Sequence, residues 1–280
     1  MRGELHRMMK YAICNETFQN WDWAETCQKV AELGYDGIEI APFTLSDDVR
    51  NISSHARDVY SNTAKRFDLE IVGLHWLLLT PKGLSLTSPE DSIRTETANY
   101  VEALVDFCAD MGGKIMVLGS PSQRRVFEGE TVEIAAERFL SALEPAIKRL
   151  EKHNITLCLE PLPPPEANFI LTLSEAMILV NKLSHPNVKT IFDVKSASSE
   201  NQPLDNLIRE FAENIAHVHA NDANRRGPGF GDTDFHPVLN TLKEINYSGY
   251  VSVEVFDYSP DPITIARESL NYMKSVRGED

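Results

Sequence analysis

The sequence predicts an α/β protein of one architecture, a closed (β/α)₈ barrel with eight parallel strands. Three observations carry that prediction. Eight short apolar, β-rich runs alternate with helical patterns from end to end, which is the signature of repeated βαβ units. A length of 280 residues suits a single undivided barrel. No G-x-G-x-x-G follows the first strand, so nothing marks the dinucleotide crevice of an open, doubly wound sheet. One domain is expected over residues 1–280, with residues 1–8 as a peripheral N-terminal extension.

The predicted strands are Lys10–Cys14, Gly37–Ile40, Ile71–His75, Ile115–Leu118, Thr156–Glu160, Lys189–Val194, Ala216–Ala220 and Tyr250–Val255. Between them, Ala24–Leu33, Ser92–Met111, Thr131–Lys152, Leu173–Leu183 and Ile263–Val276 repeat apolar residues at intervals of three and four, as crossover helices do. Thr172-Leu173-Ser174-Glu175 has the form of a capping box, and Pro262 suits the start of the last helix. The run Pro161-Leu162-Pro163-Pro164-Pro165 directly follows the fifth strand and reads as a stiff βα loop.

Composition narrows the function classes. The formal charge of −15 gives the chain no broad basic footprint for a phosphate backbone. The pairs Arg124-Arg125 and Arg225-Arg226 are placed to make local basic spots, and solvated surface is the simpler reading of each. Cys14, Cys27, Cys108 and Cys158 show no C-x-x-C spacing and read as reduced, buried thiols. Met1–Met9 lacks an apolar core of signal-peptide length, and no later run approaches a membrane span. A cytoplasmic enzyme is the resulting expectation.

In such barrels the reactive groups stand where strands end, because the βα loops there are free to form a site. Four late strands each end in a side chain competent to bind metal: Glu160, Asp193, His219 and Glu254. A carboxylate at the end of an apolar strand is costly to bury without a cation or hydrogen-bond donors. Three carboxylates and one imidazole converging there call for one divalent ion. Oxygen-rich ligation with a single histidine suits Mn²⁺ first, with Mg²⁺, Co²⁺ or Zn²⁺ as alternatives. Such an ion polarises a carbonyl and stabilises the enediolate left when an adjacent C–H loses its proton.

These residues resemble the metal ligands of the xylose-isomerase-like sugar isomerases and epimerases, most closely the D-tagatose 3-epimerase branch. Glu160, Asp193, His219 and Glu254 are separated by 33, 26 and 35 residues, the order and spacing of that branch. Glu166 and Asn168 after the fifth strand, and Arg225 six residues beyond His219, extend the resemblance. It implies that Glu160 and Glu254 also act as paired bases, exchanging a proton on opposite faces of one substrate carbon. One departure is clear: the branch carries a histidine three residues after its metal-binding aspartate, and Ser196 stands there. Ketohexose specificity is therefore not implied. Lys195 is expected to point away from the barrel axis if Asp193 points in.

Further substrate contacts are expected from Glu166, Arg225, His75 and His236. The loop Arg225–His236 mixes glycines with acids, bases and an aromatic, which suits folding over a ligand. Glu39 and Trp76 are candidates for the far wall, and His217 reads as a packed histidine beneath His219. The expected reaction is epimerisation or isomerisation of a small sugar or polyol-derived substrate. An inosose dehydratase or hydroxypyruvate isomerase would use the same groups. A rival resembling endonuclease IV shares the barrel, and Asp234-x-His236 resembles part of its zinc ligation, but Ser196 and Gly119 stand where further histidines are expected. Neither a nucleic-acid nor a membrane partner is expected, and a homo-oligomer is left open.

Overall fold

A computed structural model describes residues 9–278; the expected extension over 1–8 lies outside the described residues. Eight parallel strands close on themselves in the order β1 to β8, with β1 paired to both β2 and β8. They are β1 (Lys10–Cys14), β2 (Gly37–Ile40), β3 (Glu70–Leu74), β4 (Ile115–Leu118), β5 (Thr156–Leu159), β6 (Val188–Asp193), β7 (Ile215–Ala220) and β8 (Tyr250–Val253). Each predicted strand is present, displaced at its ends by two residues or fewer. Closure leaves no unpaired strand edge, so the strands need no charged or proline-blocked margins and are apolar on both faces.

The crossover helices are α1 (Trp23–Leu33), α2 (Ser54–Arg66), α3 (Asp91–Met111), α4 (Val132–His153), α5 (Leu173–Leu183), α6 (Val194–Ala197), α7 (Leu204–Glu210), α8 (His236–Glu244) and α9 (Pro262–Arg277). Their ends follow from local chemistry. Asp22 accepts from the backbone N–H groups of Ala24 and Glu25 to start α1, and Gly34, at φ 93°, ends it. Thr172 caps α5 through Glu175 N, but the Glu175 carboxylate reaches back to Leu171 N rather than to the cap residue. The capping box is thus displaced by one residue. Pro262 occupies the first turn of α9 behind Asp261, where a missing N–H costs nothing.

Side chains at alternate strand positions fill the barrel in layers. Val117, Cys158 and Ile191 form an apolar layer from β4, β5 and β6. Two residues further along the last two of these strands come Glu160 and Asp193, so the period of two that fills the interior also lifts the carboxylates to its C-terminal mouth. All four cysteines are free and buried. No helix among the described residues is long and apolar enough to cross a membrane.

Candidate metal centre and active-site cavity

Glu160 follows β5, Asp193 ends β6, His219 lies in β7 and Glu254 follows β8. The barrel brings their ligand atoms within 4.8 Å of one another, all in buried side chains. His219 Nδ1 lies 3.2 Å from Glu254 Oε2, 3.6 Å from Glu160 Oε1 and 4.0 Å from Asp193 Oδ2. It is buried and hydrogen-bonded to none of them. A ring nitrogen without a partner, facing three carboxylates, is the donor arrangement a divalent cation satisfies, so the residues fit the expected ion.

The other nitrogen of that ring is fixed from below. Glu39, fully buried on β2, accepts from His219 Nε2 at 3.2 Å and from His217 Nε2 at 2.8 Å. Donation from Nε2 leaves the Nδ1 lone pair for the ion, which is how a carboxylate behind a histidine selects its tautomer. Glu39 therefore braces the centre from beneath, whereas the sequence reading placed it in the cavity wall. His217 is the packed histidine expected. Burial works against a charge on Glu39, yet His217 and His219 hold its carboxyl well below the usual range.

Burial pushes Glu160 up to about 7, with Glu254 and Asp193 adding like-charge repulsion. Burial likewise raises Asp193, again with Glu254 beside it. For Glu254 burial is opposed and outweighed by the His219 ring, and its carboxyl falls below the usual value. His219 is itself held well above its usual value: burial opposes its charge, but Glu254 and Glu39 outweigh burial. Without a cation, the cluster holds its negative charge by retaining protons on Glu160 and His219.

Two supporting residues carried no sequence signal. Asn221, fully buried just after β7, donates from its side-chain nitrogen to Asp193 Oδ2 at 2.7 Å and to Glu254 Oε2 at 3.3 Å, and accepts from Lys195 N at 2.9 Å. Arg124 contradicts its reading as solvated surface, because its side chain is 1% exposed. Its guanidinium donates to the carbonyl oxygens of Gly119, Phe169 and Glu160, the last at 2.6 Å. It ties the ends of β4 and β5 to the loop before α5. Gly119 matters for another reason: a Cβ there would fall on the Glu160 carboxylate.

Above the cluster lies a cavity of about 170 Å³ whose lining includes Glu160, Glu254, Glu166, His75, Trp76 and Phe256. Glu166 reaches it from the proline-rich loop and accepts from Lys195 Nζ at 2.7 Å. Lys195 thus differs from expectation. The chain turns helical at Val194, so strand alternation no longer applies, and the side chain, 8% exposed, turns to the mouth. Arg225 is exposed on the rim, with its guanidinium 5.5 Å from the Phe256 ring centre. His75 is buried and pairs with Glu16 Oε2 at 2.8 Å, a carboxylate the sequence reading passed over.

The structure does not bring His236 to this cavity. It opens α8 with its side chain 60% exposed and its Nδ1 2.8 Å from Asp234 Oδ1, so the pair satisfies itself at the surface. Asn168 likewise acts locally, exchanging hydrogen bonds with the backbone of Val126. Ser196 donates its backbone N–H to Asp193 Oδ1 at 2.7 Å, and its buried hydroxyl has no hydrogen-bond partner.

A closed (β/α)₈ barrel with a buried carboxylate–histidine cluster at its C-terminal mouth defines the class as a TIM barrel. Within that class, the chain belongs to the xylose isomerase-like TIM barrel family, whose model matches residues 27–276. It is 24% identical to 3-dehydro-D-guloside 4-epimerase of Escherichia coli (strain K12), over 95% of this chain and 100% of that one. It is also 24% identical to D-psicose 3-epimerase of Ruminiclostridium cellulolyticum, over 85% of this chain and 80% of that one. A crystal structure of D-psicose 3-epimerase in the presence of D-fructose superposes with a TM-score of 0.84 at 21% identity, covering 96% and 100% of the two chains. These relatives are sugar epimerases, enzymes of the isomerase class.

Proposed function

We propose that this protein is a metal-dependent sugar epimerase or isomerase that moves a proton at a carbon beside a carbonyl. The observation that carries the reading is the quartet itself. His219 Nδ1 has no hydrogen bond and faces Glu160, Asp193 and Glu254 at the floor of a cavity that Glu160 and Glu254 also line. The sugar epimerases among its relatives support the substrate class.

Glu160, Asp193, His219 and Glu254 would hold the ion, Mn²⁺ first among the candidates. When bound, the ion supplies Lewis-acid polarisation of the substrate carbonyl and balances the charge that develops on its oxygen. The protein's own groups do the rest. Glu160 and Glu254 flank the reacting carbon, one removing its proton and the other returning one on the opposite face. Glu166 and Arg225 at the rim, with His75 and Trp76 in the wall, orient the hydroxyl groups and exclude water.

The test is exchange of substrate hydrogen with solvent deuterium, followed by NMR for the wild type and for Glu160→Gln and Glu254→Gln loaded with Mn²⁺. Glutamine still offers the ion an oxygen but cannot accept and return a proton. Each variant is expected to keep metal while losing epimerisation by about 10²-fold or more. Wash-out surviving in one variant without epimerisation supports opposed bases. Full turnover in both metal-loaded variants would sink the two-base mechanism.

A further inference from the structure

The mouth of the barrel holds a second compartment that the reaction above does not use. It lies beyond the ends of β1 and β2, on the same face as the metal centre, with a volume of about 490 Å³ against about 170 Å³ for the inner cavity. Phe43, from the outer lining, and Trp76, from the inner, meet edge to face with ring centres 6.0 Å apart. The two linings therefore adjoin through this aromatic pair.

The outer lining is specific in its chemistry. Phe18 packs edge to face on Trp21 at 5.4 Å, and Trp23 on Tyr60 at 5.9 Å. Beside these rings stand the exposed carboxamides of Gln19 and Asn20. Aromatic faces take up the C–H faces of a sugar ring, and carboxamides donate to and accept from its hydroxyl groups. The lining holds no lysine or arginine, and its one carboxylate, Asp22, is already engaged in capping α1. A phosphate or carboxylate would find no counter-charge there. A neutral polyhydroxyl ring fits.

Resting on the reading of the inner cavity as a sugar site, we propose that the outer compartment receives the second, non-reacting ring of a glycoside, so that the preferred substrate class is a keto-disaccharide or keto-glycoside rather than a free monosaccharide. The inner cavity holds the reacting ring. The outer one contributes binding that a monosaccharide cannot collect.

Calorimetric binding to the Mn²⁺-loaded protein tests this with D-fructose and with two keto-disaccharides, lactulose and isomaltulose. At least one disaccharide is expected to bind about tenfold more tightly than D-fructose. Trp21→Ala should remove that advantage and leave D-fructose binding unchanged. If truncating Trp21 prevents folding, the pair Gln19→Ala and Asn20→Gly carries the same test, since Asn20 sits at φ 64°, where glycine is tolerated. Disaccharides binding no more tightly than D-fructose overturn the proposal, as does a variant that weakens both ligands equally. Tighter disaccharide binding without deuterium exchange at any ketose would retain the subsite and remove the epimerase reading.

Discussion

The proposed function asks Glu160 to hold a cation and to take a proton, and its surroundings decide when it can do either. Buried beside Glu254 and Asp193, it keeps its proton up to about 7 in the metal-free chain, while His219 stays charged well above the usual histidine value. Metal uptake must therefore release protons. The sign follows directly: a group whose pKa is raised is protonated below it, so lowering the pH strengthens the competitor of the metal. Affinity is expected to rise from about pH 6 to about pH 8, by roughly tenfold per unit for each proton displaced. Calorimetry in buffers of different ionisation heat reads the protons released, and an affinity flat over that range would contradict the charge assignment. The clustering of Glu160, Asp193, His219 and Glu254 was legible in the sequence because four carboxylate or imidazole side chains end four consecutive apolar runs. Glu39 was visible as a residue but not in its role, since its partner His217 lies 178 positions away. Arg124 looked like surface, and Asn221 drew no reading at all, because nothing local distinguishes a buried polar residue from an exposed one. Only the tertiary contacts do.

Helices with a strong apolar period are legible in the sequence, and those without one are not. α2 fully buries only Ser61 and Ala64, and its mean hydropathy is low, so its apolar stripe is weak in the sequence. α7 is seven residues long, too short for a period to repeat, and α8 begins at the end of the Arg225–His236 loop. Lys195 was misdirected for a related reason: the strand stops at Asp193 and the backbone turns helical at once. At this scale Arg124 has its effect, because one guanidinium satisfies carbonyls at the ends of β4 and β5 and in the next loop. Arg124→Met should leave those buried acceptors without donors and destabilise the fold by about 2–5 kcal/mol. Chemical denaturation measures this, and a loss below about 0.5 kcal/mol would mean that water replaces the guanidinium without cost.

Across the whole molecule, an ion held by Glu160, Asp193, His219 and Glu254 would also tie strands together. An ion that binds only the folded chain stabilises it by about 2.7 kcal/mol at one hundred times its Kd. For a chain of this size that corresponds to a rise in Tm of about 5 °C. Thermal unfolding with and without Mn²⁺ measures it, and Asp193→Asn should abolish most of the rise; an equal rise in the variant would place the ion elsewhere. The proposed ligands are unevenly distributed around the closed ring. All four come from the β5 to β8 side, while Glu16, Glu39 and His75, which brace the site or line it, come from the β1 to β3 side. The chain is thus divided into a half that owns the donors and a half that sets their tautomer and charge. Cut after α4, at the exposed turn around His153 and Asn154, and supplied as two separate polypeptides, it becomes a split protein whose reassembly metal capture can report. The C-terminal piece alone has every ligand yet lacks the carboxylate that orients His219, so tight capture of Mn²⁺ should appear only when its complement is added.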